Sequence, residues 1–383
     1  MATATTTPIA AIQALGQSVW LDNISRKILV DDTLKRLIEE DDLRGVTSNP
    51  TIFEKAIGHS ADYDEDLKRL VTAKSDDDAI YQDLTIYDIT HALDLFRPTY
   101  ERTDALDGYV SLEVSPLLAR DTAKTTAEAE TLWKKLGRPN AMIKIPGTAE
   151  GLQAIEETLA KGINVNVTLL FSVQAYEAVA HAYLRALQRR ADAGQPIDKV
   201  ASVASFFVSR IDSEVDKRIE AKLKTETDPA RKAGLEGLLG KIAVANAKVA
   251  AASFDKIFKT PEFAALEAKG AKVQRLLWAS VGTKNPKYPD TLYIDELIGP
   301  ATVSTMPPAT FDAVKDHGKA APTLAQGHAE AFAQLVALKE HGIDFKDVTD
   351  LLLKEGIDSF SKSFESLMGS IKAKSDKLKA GSA

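Results

Sequence analysis

A lysine inside a short apolar stretch is the first residue of this chain that suggests chemistry. Lys144 is flanked by Ile143 and Ile145 in the segment NAMIKIPGT. The segment has the pattern of a strand that ends at Pro146 and Gly147. A free lysine is almost entirely protonated, with about one amine in a thousand neutral near pH 7.4, and burial disfavours the charged form. A neutral amine can attack a ketone and form a Schiff base, whose protonated imine stabilises the carbanion left when the neighbouring C–C bond breaks.

Such a reaction needs acid–base groups and hydrogen-bonding groups around the lysine. One carboxylate must take the proton from the hydroxyl whose carbon becomes an aldehyde, and a second acid–base group must carry protons while the imine forms and hydrolyses. Asp22 and Glu113 are suited to these two tasks. The candidates for holding the substrate's hydroxyls are Asn49, Asn166, Thr168 and Ser205.

Each of these residue types also has a simpler structural interpretation when it is taken alone. A strand lysine commonly extends its amine to water. An aspartate at a strand end commonly caps a helix, and asparagine is common in turns. The functional hypothesis therefore depends on whether the fold brings these side chains to one place.

Short runs with strand-like composition alternate with amphipathic helical stretches over most of the chain. The runs are SVWLD, GVTSN, GYVSLEV, AMIKIP, INVNVTLL, VASVASFF, RLLWASVG and TVSTMP. This alternation predicts a parallel sheet with helical crossovers, and eight strands favour a closed (β/α)8 TIM-type barrel over an open doubly wound sheet. The Ala- and Lys-rich sequence from Asp228 to Gly270 predicts additional helices between the sixth and seventh strands, and further helices follow the last strand up to about Ser370.

No strong domain boundary interrupts this pattern, so residues 1–383 are predicted to form a single domain. Residues 15–307 are the predicted barrel core, and residues 308–383 supply the last barrel helix and C-terminal helices that pack on the barrel. An apolar stripe recurs at helical spacing in those helices, namely Phe360, Phe364, Leu367 and Ile371. It predicts a face that packs against the barrel or closes over one end of it, and plain packing is the simpler interpretation.

Alternation within the strands predicts which side chains point into the barrel, because residues two apart share a face. Aliphatic rows suit the helix-facing surface, and the row of Leu277, Ala279 and Val281 is assigned to that surface in the seventh strand. The opposite rows then point inward and turn polar toward the C-terminal strand ends, where barrel enzymes place their chemistry. The residues predicted to converge there are Asp22, Asn49, Glu113, Lys144, Asn166, Thr168 and Ser280. A packing core has no use for such a ring, because buried polar groups cost free energy unless they are paired.

Composition restricts the partners and the compartment. The formal net charge of −7 argues against a nucleic-acid partner, because an acidic protein repels phosphate backbones, and the tail lysines in KAKSDKLKA are predicted to be a solvated helix end. The sequence has no cysteine, and its six histidines lack metal-binding spacing, so no metal site is predicted. The N-terminal stretch MATATTTPIAAIQALG is not a convincing export signal, and no apolar run is long enough to cross a bilayer. We therefore expect a cytoplasmic protein without membrane or nucleic-acid partners, whose sequence leaves room for a homo-oligomer but defines no oligomeric state.

Seven segments around the candidate residues resemble the signature segments of the transaldolases. They are WLDNI, GVTSNPTIF, SLEVSP, MIKIPGT, INVNVTLLFS, SFFVSRID and WASVGTKNP. They occur in the family's order over roughly Leu15 to Pro307, and the combination is specific although no single segment is. The resemblance implies a class I aldolase-type β/α barrel without a metal or an organic cofactor.

The resemblance also implies a reaction and a set of site residues. Transaldolases move a dihydroxyacetone unit from fructose 6-phosphate or sedoheptulose 7-phosphate to erythrose 4-phosphate or glyceraldehyde 3-phosphate, in the non-oxidative pentose phosphate pathway. By resemblance, Lys144 is the Schiff-base lysine and Asp22 takes the hydroxyl proton in cleavage. Glu113 and Thr168 resemble the pair that positions a catalytic water. The substrate-binding positions implied by resemblance are Asn49, Asn166 and Ser205 for hydroxyl groups, Phe207 as an active-site aromatic residue, and Arg210 for phosphate.

One position departs from the commonest pattern of the family. Many transaldolases carry a second phosphate-binding arginine two positions after the seventh-strand serine, whereas this sequence has Gly282 there and Lys284 close by. This resembles the longer bacterial branch of the family, and we infer that Ser280 and Lys284 share the phosphate with Arg210. A lysine is a point charge and not a bidentate fork, so a solvated loop lysine is the alternative interpretation of Lys284.

Two other functions stay open at the level of the sequence. A fructose-6-phosphate aldolase of the same fold would release free dihydroxyacetone, but the residues around the water-positioning carboxylate and the aromatic ring, Glu113 and Phe207, resemble those of transaldolases. A sugar-phosphate-binding protein without turnover is the third hypothesis. The presence of Lys144, Asp22 and Glu113 argues against it, because binding alone needs no buried nucleophilic amine.

Overall fold

Eight parallel strands close into a barrel in this protein, which a computed structural model describes over residues 7–73 and 76–381. The strands pair in sequence order, and the eighth pairs with the first. They are β1 (Gln17–Leu21), β2 (Gly45–Val46), β3 (Tyr109–Glu113), β4 (Ala141–Pro146), β5 (Val165–Leu170), β6 (Ser202–Phe207), β7 (Arg275–Ala279) and β8 (Thr302–Met306). The predicted closed barrel is therefore confirmed, and the open doubly wound sheet is wrong. Residues 1–6, 74–75 and 382–383 of the predicted single domain lie outside the described residues.

Helices connect the strands and surround the barrel. They are α1 (Pro8–Ala14), α2 (Arg26–Val30), α3 (Thr33–Glu40), α4 (Pro50–Phe53), α5 (Asp64–Thr72), α6 (Asp77–Arg102), α7 (Thr122–Leu136), α8 (Ala149–Ala160), α9 (Val173–Asp192), α10 (Ser209–Leu223), α11 (Pro229–Glu236), α12 (Ile242–Phe258), α13 (Pro261–Glu267), α14 (Leu292–Asp295), α15 (Pro308–His317), α16 (His328–Glu340) and α17 (Phe345–Gly381). A π-helix spans Glu54–Gly58, and a 3₁₀-helix spans Pro116–Leu118. The predicted additional helices between β6 and β7 and at the C-terminus are confirmed. Across the described part of the chain, no helix has the length and apolar character that a membrane crossing requires.

Polar helix caps make the connections from strands to helices short. The Thr148 hydroxyl accepts the Gly151 N–H at 2.8 Å and begins α8 two residues after β4 ends. The Ser172 hydroxyl accepts the Ala175 N–H at 3.1 Å and begins α9 in the same way after β5. Because each cap satisfies a backbone donor that the first helical turn leaves free, the chain can reverse direction directly at the C-terminal edge of the barrel.

The strand register defines which side chains point into the barrel. Glu113 pairs with Lys144, and Lys144 pairs with Asn166, so these three side chains share a face. The Asn166 side-chain amide donates to the Ser111 hydroxyl on β3 at 3.0 Å, although β3 and β5 are not neighbours. That hydrogen bond crosses the interior, so the predicted inner faces of β3, β4 and β5 are confirmed.

The predicted faces of β7 are wrong. Leu277 pairs with Ser205, whose side chain lines the interior cavity described below. Leu277 and Ala279 therefore point inward, and Trp278 points toward the helices. The Trp278 indole donates to the Leu297 carbonyl at 3.0 Å, so the large ring obtains both burial and a hydrogen-bond partner outside the barrel.

The C-terminal helix α17 continues past the predicted limit near Ser370 and ends at Gly381. The Lys374 amine donates to the Ile57 carbonyl at 3.2 Å and to the Ser60 carbonyl at 2.9 Å. The prediction of a solvated tail is therefore wrong at Lys374, because backbone carbonyls at the end of the π-helix bind its ammonium group. Through such contacts α17 packs on α4, the π-helix, α5 and α6, and it reaches α10 and β5.

Candidate active site

A cavity of about 750 Å³ opens at the C-terminal ends of the strands. Its wall includes eight of the predicted site residues, namely Asp22, Asn49, Lys144, Ser205, Phe207, Arg210, Ser280 and Lys284. The other three, Glu113, Asn166 and Thr168, are buried next to this wall on β3 and β5. The structure therefore gathers the predicted residues around Lys144.

Lys144 projects from β4 into this cavity with only 5% of its side chain exposed. Its Nζ donates to the Ser48 carbonyl at 3.0 Å and lies 3.4 Å from the Glu113 Oε2. The Phe360 ring centroid lies 5.8 Å from the same nitrogen. A carbonyl, a carboxyl group and an aromatic ring thus surround the amine, and the cavity gives it access to a substrate.

Glu113 is a buried carboxyl group with a raised proton affinity. Burial raises the pKa of Glu113 to about 7, the Lys144 ammonium opposes this rise, and the negative charge of Asp22 adds to it. Neither carboxyl oxygen has a hydrogen-bond partner among the described residues, and neither does the buried Thr168 hydroxyl. A carboxyl group that titrates near neutral pH beside an amine is suited to exchange protons with it.

Asp22 follows β1 and is held by a row of hydroxyl groups. The Thr47 hydroxyl donates to Asp22 Oδ1 at 2.6 Å and lies 2.7 Å from the Thr305 hydroxyl. Burial raises the pKa of Asp22, and the charges of Lys144 and Lys284 together with the Thr47 hydrogen bond oppose that rise. Sequence reasoning missed both threonines, although alternation within β2 and β8 could have identified them.

Three side chains that were predicted to bind hydroxyl groups of the substrate, two amides and one hydroxyl, form hydrogen bonds within the protein. Ser205 donates to Asn166 Oδ1 at 2.7 Å, and the Asn166 amide donates to Ser111 at 3.0 Å. Asn49 Oδ1 accepts the Ile52 N–H at 3.0 Å and caps α4. Asn49 also lines the cavity, so the structural role of a helix cap and a place in the site coexist in one residue.

Two cations border the cavity beyond the ends of β6 and β7. Arg210 lies in the first turn of α10, with its guanidinium carbon 5.5 Å from the centroid of the Phe207 ring. Lys284 forms no ion pair with a described residue. Burial lowers the pKa of Arg210. Lys284 is exposed to solvent, and partial burial of its amine lowers its pKa; the positive charges of Arg210 and Lys55 lower it further, while Asp22 opposes this shift.

Gly282 lies next to the Lys284 amine. A Cβ atom added at Gly282 would lie 3.8 Å from Lys284 Nζ and 3.2 Å from Thr310 Oγ1. The lysine amine therefore lies beside position 282 and borders the cavity, although the residue is exposed to solvent. Ser280 adopts a left-handed backbone (φ 53°) after β7, and its hydroxyl lies 3.1 Å from that of Ser209. This turn brings Ser280 to the cavity wall although the predicted face of β7 is wrong.

Several residues of the cavity wall escaped the sequence prediction. They include Asn23, Ser25, Lys27, Thr51, Lys55, Ser60, Asp62, Ser359 and Phe360. They lie on helices and loops, where alternation along a strand carries no information. Phe360 alone had a signal, the apolar stripe of α17, and it is the one residue of that stripe that lines the cavity. Leu367 and Ile371 of the stripe are buried in the hydrophobic core.

Comparisons with known proteins agree with this architecture. The chain matches the model of the family described as Transaldolase/Fructose-6-phosphate aldolase over residues 19–371. A protein named Transaldolase from Trichodesmium erythraeum (strain IMS101) is 49% identical over 375 residues, which cover 97% of this chain and 99% of that protein. A Transaldolase 2 from Nostoc sp. (strain PCC 7120) is 50% identical over 366 residues, with 95% and 96% covered. A Transaldolase from Thermobifida fusca (strain YX) is 48% identical over 362 residues, with 94% and 96% covered. The chain therefore belongs to the transaldolase/fructose-6-phosphate aldolase family of enzymes.

Proposed function

We propose that the protein is a transaldolase that transfers a dihydroxyacetone unit between sugar phosphates through a Schiff base on Lys144. The observation that carries this proposal is the buried Lys144 amine, 3.4 Å from a carboxyl group that titrates near neutral pH, on the wall of a large cavity. Relatives named transaldolase, 48% to 50% identical over nearly the full chain, support this class of activity.

The proposed substrates are the sugar phosphates of the non-oxidative pentose phosphate pathway in the cytoplasm. The donor is fructose 6-phosphate or sedoheptulose 7-phosphate, and the acceptor is erythrose 4-phosphate or glyceraldehyde 3-phosphate. The ketone end of the donor lies at Lys144. Its phosphate lies against Arg210, Ser280 and Lys284, where positive charge borders the same cavity. No metal or organic cofactor takes part.

The first step joins the donor to the enzyme. Lys144 Nζ bonds to the ketone carbon, the ketone oxygen takes up a proton, and the resulting hydroxyl leaves as water after a second protonation. Glu113 carries these protons, because it lies next to Nζ and titrates near neutral pH. The Glu113 oxygens and the Thr168 hydroxyl have no hydrogen-bond partner among the described residues, and they are the groups that would hold a mediating water.

Cleavage and transfer then use Asp22. The carboxylate accepts the proton of the hydroxyl on the carbon whose bond breaks, an aldose phosphate leaves, and the electron pair of the C–C bond forms an enamine on Lys144. The enamine carbon attacks the aldehyde of the acceptor, and Asp22 returns its proton to the new alkoxide. Hydrolysis of the imine by one water releases the new ketose phosphate and the free amine.

Fructose-6-phosphate aldolase is the second candidate, because the matching family model includes it by name. In that reaction the enamine carbon takes up a proton instead of attacking an acceptor, and free dihydroxyacetone leaves. Binding without turnover finds less support, since it gives no reason to bury an amine beside an acid with a raised pKa.

Borohydride trapping tests the proposal. The protein is mixed with fructose 6-phosphate, reduced, and digested for peptide mass mapping, with and without erythrose 4-phosphate. We expect a reduced three-carbon, phosphate-free adduct on Lys144 that diminishes when the acceptor is present. An adduct insensitive to the acceptor, with accumulation of dihydroxyacetone, would favour the aldolase, and no adduct with any ketose phosphate would contradict both enzyme functions.

Replacement of Lys284 by methionine tests the proposed phosphate contact. Loss of a hydrogen bond to a charged group costs about 1.5–3 kcal/mol, so we expect KM for fructose 6-phosphate to rise roughly ten- to a hundredfold with little change in kcat. Steady-state kinetics with fructose 6-phosphate and with unphosphorylated fructose measure this effect, and fructose should react as before. Lys259→Met, at an exposed lysine paired with Asp255, is the control. An unchanged KM would identify Lys284 as a solvated loop lysine.

A further inference from the structure

The C-terminal helix α17 brings an apolar ring to the reacting nitrogen. Phe360 is 4% exposed, lines the cavity, and has its ring centroid 5.8 Å from Lys144 Nζ. The two polar neighbours of the amine are the Ser48 carbonyl at 3.0 Å and Glu113 Oε2 at 3.4 Å. No proton transfer or substrate contact described above requires Phe360, so its position needs a separate explanation.

Gly356 allows α17 to approach the barrel closely one turn before Phe360. A Cβ atom added at Gly356 would lie 2.9 Å from Leu169 Cδ2 and 3.8 Å from Arg210 Nη1. Leu169 follows Thr168 near the end of β5 and has a left-handed backbone (φ 60°). The helix is therefore seated on the C-terminal end of β5, with Gly356 near Arg210 and Phe360 near Lys144.

Polar contacts fix the next turns of α17 to the segment that follows β2. The Ser363 and Thr51 hydroxyls lie 2.8 Å apart, and Ser366 donates to Glu54 Oε1 at 3.1 Å. Lys374 binds the carbonyls at the end of the π-helix. Because these contacts continue along the helix beyond Phe360, and Gly356 seats it before Phe360, the ring is held in place from both directions.

The enamine on Lys144 has two chemical fates in this cavity. Attack of its carbon on an acceptor aldehyde gives transfer. If the same electron pair instead forms a C–H bond with a proton supplied from water, the resulting imine hydrolyses with one further water and free dihydroxyacetone leaves. The access of water to the enamine carbon before the acceptor binds therefore influences the ratio of release to transfer.

We propose that Phe360 is a specificity-determining residue that excludes water from the enamine and so directs it to the sugar-phosphate acceptor. This inference rests on the proposed function. The ring offers water no hydrogen-bond partner, and it occupies space beside the nitrogen that carries the intermediate. A smaller side chain would open that space to water from the cavity, since a polar, roomy site that adjoins solvent becomes hydrated.

The ratio of free dihydroxyacetone released to dihydroxyacetone transferred tests this role. It is measured with fructose 6-phosphate at a fixed concentration of erythrose 4-phosphate, and it does not depend on the fraction of active enzyme. We expect the ratio to rise roughly tenfold in Phe360→Ala, which corresponds to a relative change of about 1.4 kcal/mol in the two barriers. Phe360→Leu keeps an apolar side chain of intermediate size, so its ratio should lie between those of the unaltered protein and Phe360→Ala. This variant provides the test if the alanine variant does not fold.

Leu367→Ala is the matched control, because Leu367 is fully buried two turns further along α17 and does not line the cavity. Its ratio should equal that of the unaltered protein. If both Phe360 variants still form the Lys144 adduct and their ratio of release to transfer is unchanged, the inference is overturned. An equal rise of the ratio in Leu367→Ala would also overturn it, because it would indicate a general loosening of the helix. Failure of the unaltered protein to form any adduct would instead contradict the proposed function itself.

Discussion

Replacement of Lys144 by methionine is expected to abolish dihydroxyacetone transfer. Methionine fills a similar volume but has no amine, so no Schiff base can form, and loss of a covalent nucleophile commonly lowers kcat on the order of 10⁴-fold or more. A coupled assay with fructose 6-phosphate and erythrose 4-phosphate measures the loss, and borohydride trapping should leave the protein unmodified. Turnover near that of the unaltered protein would defeat the transaldolase and the aldolase hypotheses together.

The same variant should still fold and bind its donor. Removal of one partner of a buried ion pair is costly when it leaves an uncompensated charge. The Lys144 ammonium opposes the burial that raises the pKa of Glu113, so without it this carboxyl stays protonated and neutral at pH 7. The cations Arg210 and Lys284 are unchanged, so equilibrium binding of fructose 6-phosphate should persist. Lost binding as well as lost turnover would indicate a misfolded site.

Alternation of polar and apolar residues along a strand predicted the inward-facing side chains well where the two faces of the strand differ in polarity. In β4 the contrast between Ile143 and Ile145 on one face and Lys144 on the other is unambiguous. In β7 both faces of the strand are apolar, so polarity does not distinguish them. The size of the side chains instead determines which face points into the barrel. The bulky Trp278 lies among the helices, while the small Ala279 pairs with Phe207 on the inner face.

Residues contributed by helices could not be predicted in this way. Lys55 belongs to a π-helix, and Phe360 to a helix far away in the chain, so their places in the cavity depend on how those helices dock. Gly356 and Lys374 fix that docking through contacts with Leu169 and with carbonyls near the π-helix. Such contacts join distant segments and leave no periodic signal. The resemblance to transaldolases supplied roles for strand residues, but it did not indicate that both Glu113 oxygens would lack hydrogen-bond partners among the described residues.

The second large expected effect is a dependence of kcat/KM on pH that arises from the Lys144–Glu113 pair. The reactive state holds one proton between the two groups, since a neutral amine must attack while an acid stands ready to protonate the oxygen. Below about pH 7 Glu113 is protonated, so it cannot take a proton from the amine and the nucleophile is not released. We therefore expect kcat/KM for the donor to rise as the pH rises through about 7 and then to level off. The apparent value describes the coupled pair and not one residue.

Glu113→Gln should remove this rise and slow the reaction. An amide cannot carry the protons of imine formation, so kcat should fall roughly 10²- to 10⁴-fold, and kcat/KM should become flat near pH 7. Asp22→Asn is the matched control, because it also loses a carboxylate and activity but keeps Glu113. Since the charge of Asp22 helps to raise the pKa of Glu113, the rise should move to lower pH in that variant. If the rise of kcat/KM with pH persists unchanged in Glu113→Gln, it arises from another group, such as the phosphate of the substrate. Glu113 would then not be the group that transfers the protons.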